Sequence, residues 1–162
     1  MNNNDVLRRL RFALKLNDAE VRRLCRLADV DLDDEELAWY LASETDPVFA
    51  LCPDAVLGAF LDGLVLHRRG PRDAASPARP SEGRFDNNLI LKKLRIALEF
   101  KEIDMLDVLK LGGMDLSPSE LGALFRSETH KHYRPCGDQL LRNFLKGLTV
   151  RLRGVGAGNP PG

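Results

Sequence analysis

Asn3-Asn4-Asp5-Val6-Leu7-Arg8-Arg9-Leu10-Arg11-Phe12-Ala13-Leu14 is the stretch that decides the fold. It returns 84 positions later as Asn87-Asn88-Leu89-Ile90-Leu91-Lys92-Lys93-Leu94-Arg95-Ile96-Ala97-Leu98. The register then holds without a gap, so that residues 3–70 fall on 87–154 with 24 of 68 positions identical. Ser43-Glu44-Thr45 becomes Ser127-Glu128-Thr129, and Cys52-x-Asp54-x-x-Leu57-x-x-Phe60-Leu61-x-Gly63-Leu64 becomes Cys136-x-Asp138-x-x-Leu141-x-x-Phe144-Leu145-x-Gly147-Leu148. Arg69-Gly70 closes one copy and Arg153-Gly154 the other. The unit is longer than most solenoid repeats and occurs twice, so a duplicated small domain fits better than an array. A residue kept in both copies serves something both halves need; a residue present once is where the halves can differ in work.

Within a copy the apolar residues fall on helical spacing. Val6, Leu7, Leu10, Ala13 and Leu14 make one stripe, predicting a helix over about 4–16 with Asn3 or Asn4 as its cap. Val21, Leu24, Cys25 and Ala28 predict a second over about 18–28, capped by Asn17 or Asp18. A third begins near Asp33, with Leu37, Tyr40 and Leu41 inward; its counterpart starts at Ser117-Pro118-x-Glu120, a serine cap, a first-turn proline and a glutamate that reaches back. Cys52-Pro53-Asp54 starts a fourth, running to about Arg68 on Val56, Leu57, Phe60, Leu61, Leu64 and Val65, with Gly70 placed to close it. The expected architecture is therefore all-α, a tandem duplication of a four-helix unit about a pseudo-twofold axis. Gly63 and Gly147 lie inside the fourth helices, where glycine costs about 1 kcal/mol relative to alanine. That cost is kept where backbones must approach, and the expected approach is between each fourth helix and the other copy. The expected organisation is a first repeat over 3–70, a flexible Pro-rich linker over 71–84, a second repeat over 85–154 and a disordered tail over 155–162.

Composition bounds the function. The chain of 162 residues carries 24 basic and 24 acidic side chains and is 44% hydrophobic, enough for a core and too balanced for a protein that coats nucleic acid. It has no run of 18 uncharged apolar residues and no basic-then-apolar leader pattern, so no membrane association is expected. Three cysteines make an odd count and no disulfide framework, which points to a reducing cytoplasm.

No nucleotide-binding glycine loop, nucleophile elbow or His-Glu-x-x-His stands in the chain. Cys52 and Cys136 each precede a helix, where a thiol can be acidified, but Asp54 and Asp138 oppose a thiolate and no histidine is repeated; the plainer reading is a buried cap residue. His130-x-His132-x3-Cys136 has part of a zinc spacing without a fourth ligand, and Asp29-x-Asp31-x-Asp33 begins like a calcium loop but has Asp34 and Tyr40 where glycine and glutamate belong. Repeated Arg11, Arg95, Glu44 and Glu128 read as structural ion pairs or caps, and no catalytic residue, metal or cofactor is assigned. What differs between the copies is charge. Residues 1–70 hold 9 basic and 13 acidic side chains, and residues 85–154 hold 12 and 9. Arg8, Lys92, Lys93, Arg126, Lys131 and Arg134 are the basic candidates for contact with a partner. The second and third helices could form a helix-turn-helix, repelled from phosphate by Asp33-Asp34-Glu35-Glu36 in the first copy but not by its counterpart in the second. Trp39 has Ala123 as its counterpart, so an aromatic present once is a candidate partner contact, with core packing as the other reading.

The doubled signature Asn-Asn-x-x-Leu-x-x-Leu-Arg-x-Ala-Leu, Cys-x-Asp-x-x-Leu-x-x-Phe-Leu-x-Gly-Leu and Arg-Gly resembles the YehS-like bacterial family, a tandem repeat of unknown function. The resemblance covers about residues 2–154. It implies a small bacterial cytosolic protein and supplies no activity, ligand or catalytic residue. The Gly112-Gly113 step is Ala28-Asp29 in the first copy, so different turns are expected there. The function expected is a non-enzymatic module that binds a macromolecule, an unidentified protein partner in the first reading and nucleic acid in the alternative, with an enzyme using a site between the copies as the remaining rival.

Overall fold

The computed structural model describes residues 1–69 and 84–154. Gly70, nearly all of the expected linker and the tail lie outside the described residues. The described residues form eight helices and no strand: α1 (Asn3–Ala13), α2 (Asp18–Leu27), α3 (Asp34–Leu41) and α4 (Asp54–Arg69) from the first repeat, then α5 (Asn87–Leu98), α6 (Glu102–Leu111), α7 (Pro118–Ala123) and α8 (Asp138–Arg153) from the second. None is long and apolar enough to cross a membrane.

Local chemistry sets the ends of these helices. Asn17, Asp33 and Ser117 cap α2, α3 and α7 with reciprocal bonds to Glu20, Glu36 and Glu120 three residues on. The expected cap of α1 is corrected: Asn2 accepts from the Asp5 amide, and Asp86 does the same for α5. Asn3 and Asn4 lie inside the first turn, which frees their side chains for other work. The expected extension of α1 to Leu16 also fails. The chain turns left-handed at Lys15 (φ 57°), and the Leu16 amide donates back to Arg11. Glu99 (φ 56°) repeats this, with the Phe100 amide on Arg95. The turns after α2 and α6 are alike rather than different. Asp29 (φ 65°) adopts the positive φ that Gly113 (φ 96°) has, and the amides of Val30 and Met114 bond to the carbonyls of Cys25 and Leu109.

The repeats interlock. The first helix of each packs along the fourth helix of the other, α1 on α8 and α5 on α4, and meets its own fourth helix only sparsely. Four helices thus build a centre around Leu7, Leu10, Leu57, Phe60 and Leu61 and their counterparts Leu91, Leu94, Leu141, Phe144 and Leu145, all but fully buried. This satisfies the expected pseudo-twofold arrangement and the expected contact of each fourth helix with the other copy. The role of the fourth-helix glycines is corrected. A Cβ on Gly63 would stand 1.8 Å from the Leu24 carbonyl oxygen, and one on Gly147 1.8 Å from that of Val108, so the close approach is to α2 and α6 of the same copy. The glycines seat the second helix against the fourth, and the joint between copies is made of leucine and phenylalanine.

Candidate interaction surface

The repeated asparagines hold the segment between the third and fourth helices. Asn4, 2% exposed, donates to the Tyr40 and Ala50 carbonyls (3.0 and 2.8 Å) and accepts the Cys52 amide (2.9 Å). Asn88 does the same with Leu124, Arg134 and Cys136 at 2.9, 2.9 and 2.8 Å. Asn3 and Asn87 bond the Cys52 and Cys136 carbonyls and the carboxylates of Asp54 and Asp138. One side chain therefore satisfies backbone groups at both ends of a loop with no regular partner of its own.

The loop turns on the repeated Ser-x-Thr, whose hydroxyls bond each other in both copies. The next position does the same job with different chemistry. The Asp46 carboxylate accepts the Val48 amide (3.0 Å), and His130 Nδ1 accepts the His132 amide (3.0 Å). His130 is thus a turn residue. Its ring lies 5.7 Å from that of His132, both exposed, while the Cys136 sulfur is buried and bonded to the Gly137 carbonyl. Among the described residues no three His, Cys, Asp or Glu groups converge as metal ligands.

The notion of an acidified thiol fails on the same geometry. Burial pushes Cys52 and Cys136 up to about 12 and Cys25 up to about 11, so these thiols stay neutral. The repeated charged residues are structural. Arg11 pairs with Asp18 (2.7 Å), Arg95 lies over the Phe125 ring, and Glu44 accepts from Asn2. Asp138 is held below the usual carboxylate range, first by the bond from the terminal ammonium of Met1 (2.9 Å) and then by Asn87.

On this common frame the two loops present unlike surfaces. In the first repeat the Ala50 amide bonds the Trp39 carbonyl (3.2 Å), which sets half-buried Trp39 beside a loop exposing Val48 (52%) and Leu51 (68%). The acidic first turn of α3 adjoins it. In the second repeat the Arg134 amide bonds the Ala123 carbonyl (3.0 Å), and the loop carries Arg126, Lys131 and Arg134, all exposed. Arg126 bonds the His132 carbonyl (3.2 Å) and Arg134 pairs with Glu120 at 3.6 Å. The structure does not gather the remaining basic candidates into that loop. Arg8 pairs with Asp5 on α1, Lys93 pairs with Asp62 across the joint of α5 and α4, and Lys92 lies exposed on α5. Sequence reasoning missed Val48 and Leu51; their counterparts His132 and Pro135, neither a large aliphatic, were the available signal.

A helical tandem duplication, interlocked through its first and fourth helices and differing in the loops it displays, is the class these features define. Comparison with known proteins agrees, for the profile of one family matches residues 3–70 and again 87–154. The chain belongs to that family, described as protein of unknown function (DUF1456). It is 42% identical over 151 residues to the uncharacterized protein YehS of Escherichia coli (strain K12), spanning 93% of this chain and 96% of that one. No solved structure matches.

Proposed function

We propose that the protein is a non-enzymatic binding module, an adaptor that contacts a protein partner through the Trp39–Leu51 face of its first repeat. The observation that carries this is the pair of Asn-anchored loops. The same backbone bonds hold both, yet one exposes Val48 and Leu51 beside Trp39 and the other exposes cations. Exposed aliphatics next to a half-buried aromatic are the material of interface hot spots. Three free, buried thiols fit a reducing cytoplasm as its place of work. The test is quantitative affinity capture from a bacterial lysate with the wild type against Trp39→Ala and Leu51→Ser. The reading expects a stoichiometric protein lost from both variants; an unchanged partner set refutes it.

A second reading rests on Arg126, Lys131 and Arg134 in the second loop, which could neutralise phosphates of a nucleic acid. α7, with six residues, is about 9 Å long and short for a helix lying in a major groove, so the loop and not a helix-turn-helix would carry it. A gel shift with mixed DNA and RNA at low salt decides. Binding that weakens with salt and with Lys131→Glu supports this reading, and no shift ends it.

A further inference from the structure

The repeats differ in a second place, where the fourth helix of each ends against the second. In the second repeat the Arg151 guanidinium fills that notch. It stands 2.8 Å from Asp104 and 3.5 Å from Asp107, and lies over the Phe100 ring at 4.8 Å. The aligned residues of the first repeat are His67, Glu20, Arg23 and Leu16. The closing set cannot be rebuilt from them. The imidazole is shorter than the arginine, Leu16 offers no ring, and the place of Asp107 holds a cation. A cleft of about 280 Å³ therefore stays open. That volume is near the lower end of small-molecule sites.

Its lining is divided by chemistry. Leu14, Leu16, Leu24 and Leu64 form the floor. Arg23, His67 and Arg68 stand at the rim, exposed, and form no hydrogen bond or ion pair among the described residues. The one carboxylate there, Glu20, already accepts the Asn17 amide as part of the α2 cap. Among the described residues these cations have no partner, and they line the opening over an apolar floor.

We propose that this cleft binds a small amphipathic anion, an alkyl carboxylate or alkyl phosphate. Its head sits on Arg23 and Arg68 and its chain on the leucines. Guanidinium groups match both heads as bidentate donors, and the two heads differ only in charge and geometry. The site is independent of the Trp39–Leu51 face, so either can fail without the other.

The test is titration of the full chain with octanoate, octyl phosphate and, as the uncharged control, octan-1-ol, followed by amide shifts of Leu14, Leu24 and Leu64. Saturable shifts with at least one anion are expected, with octan-1-ol about tenfold weaker. Which anion binds more tightly identifies the head. The combined variant Leu16→Phe, Glu20→Asp, Arg23→Asp and His67→Arg rebuilds the closure of the second repeat and should abolish binding. Arg23→Gln with Arg68→Gln leaves the cavity open and should weaken the anions about tenfold while sparing octan-1-ol, which keeps the test decisive if the combined variant does not fold. No saturable shift with either anion overturns the proposal. So do shifts that persist in a folded closed variant, or an octan-1-ol affinity equal to that of the anions.

Discussion

Gly63→Ala tests the reasoning about helix packing most directly. The added methyl carbon would stand 1.8 Å from the Leu24 carbonyl oxygen and 2.5 Å from its carbon. Ordinary carbon–oxygen contact is about 3.4 Å, so α2 and α4 would have to part by roughly 1.5 Å at their crossing. The obstacle is helical backbone, and no rotamer change relieves it. Two terms oppose each other. Alanine gains about 1 kcal/mol in helix propensity. Overpacking a well-filled contact costs about 1–3 kcal/mol or more, and a gap of this size forfeits much of the dispersion that Val21, Leu24, Phe60 and Leu64 exchange. A rigid backbone obstacle belongs beyond that range, at about 4 kcal/mol, for a net loss of about 3 kcal/mol once the propensity gain is subtracted. That corresponds to a melting temperature lower by about 6–12 °C. The control is Gly122→Ala on α7, where a Cβ meets nothing within 4 Å. That change should be neutral or stabilise by up to about 1 kcal/mol. Thermal and urea melts followed by circular dichroism measure both. A Gly63→Ala protein that melts at or above the wild type refutes the account.

Other expectations follow from the same contacts. Asn4→Ala strips partners from the buried Cys52 amide and two carbonyls, and should cost about 3 kcal/mol with early exchange of that amide; native-state hydrogen exchange measures this, and slow exchange in the variant would contradict it. At pH 8 a disulfide reagent should modify the three thiols only as fast as the protein opens. The folded state holds Cys25, Cys52 and Cys136 protonated, so stability should be complete below the ordinary thiol value of about 8.5 and fall as pH climbs toward 12. Rapid labelling in native buffer would argue against buried neutral thiols. Because α1 finds its main partner in the other copy and α4 also packs on the other copy's α5, an isolated first repeat should dimerise, with Arg9 brought to the position from which Lys93 meets Asp62. An isolated second repeat would set Lys93 against Lys146 and associate more weakly; sedimentation of the two fragments compares them, and two helical monomers would refute the interlock.

Much of the architecture was legible because helices declare themselves locally. Amphipathic spacing and capping residues fixed their number and most of their starts, and the 84-residue register exposed the duplication. Where reading failed, the deciding partner was distant or the local signal was missing. Lys15 and Glu99 end helices in a conformation usually reserved for glycine, and neither advertises it. Asn3 and Asn4 looked like caps because asparagine before an apolar stripe usually is one. Their bonds go to residues 36 to 51 positions away. Trp39, Arg126, Lys131 and Arg134 were singled out by comparing the copies, but Val48 and Leu51 gained meaning only once the Asn4 bonds set the loop beside Trp39.

The sequence alone determined that the chain is two like units of amphipathic helices, since periodicity and duplication are properties of order along the chain. Which helix meets which was decided in three dimensions. A stripe of leucines does not state its partner, and the same stripe fits its own fourth helix or the other copy's. The exchange of α1 and α5 between repeats arises from that choice, while the carbonyls against Gly63 and Gly147 and the cleft left open where His67 stands for Arg151 arise from how each second helix meets its own fourth.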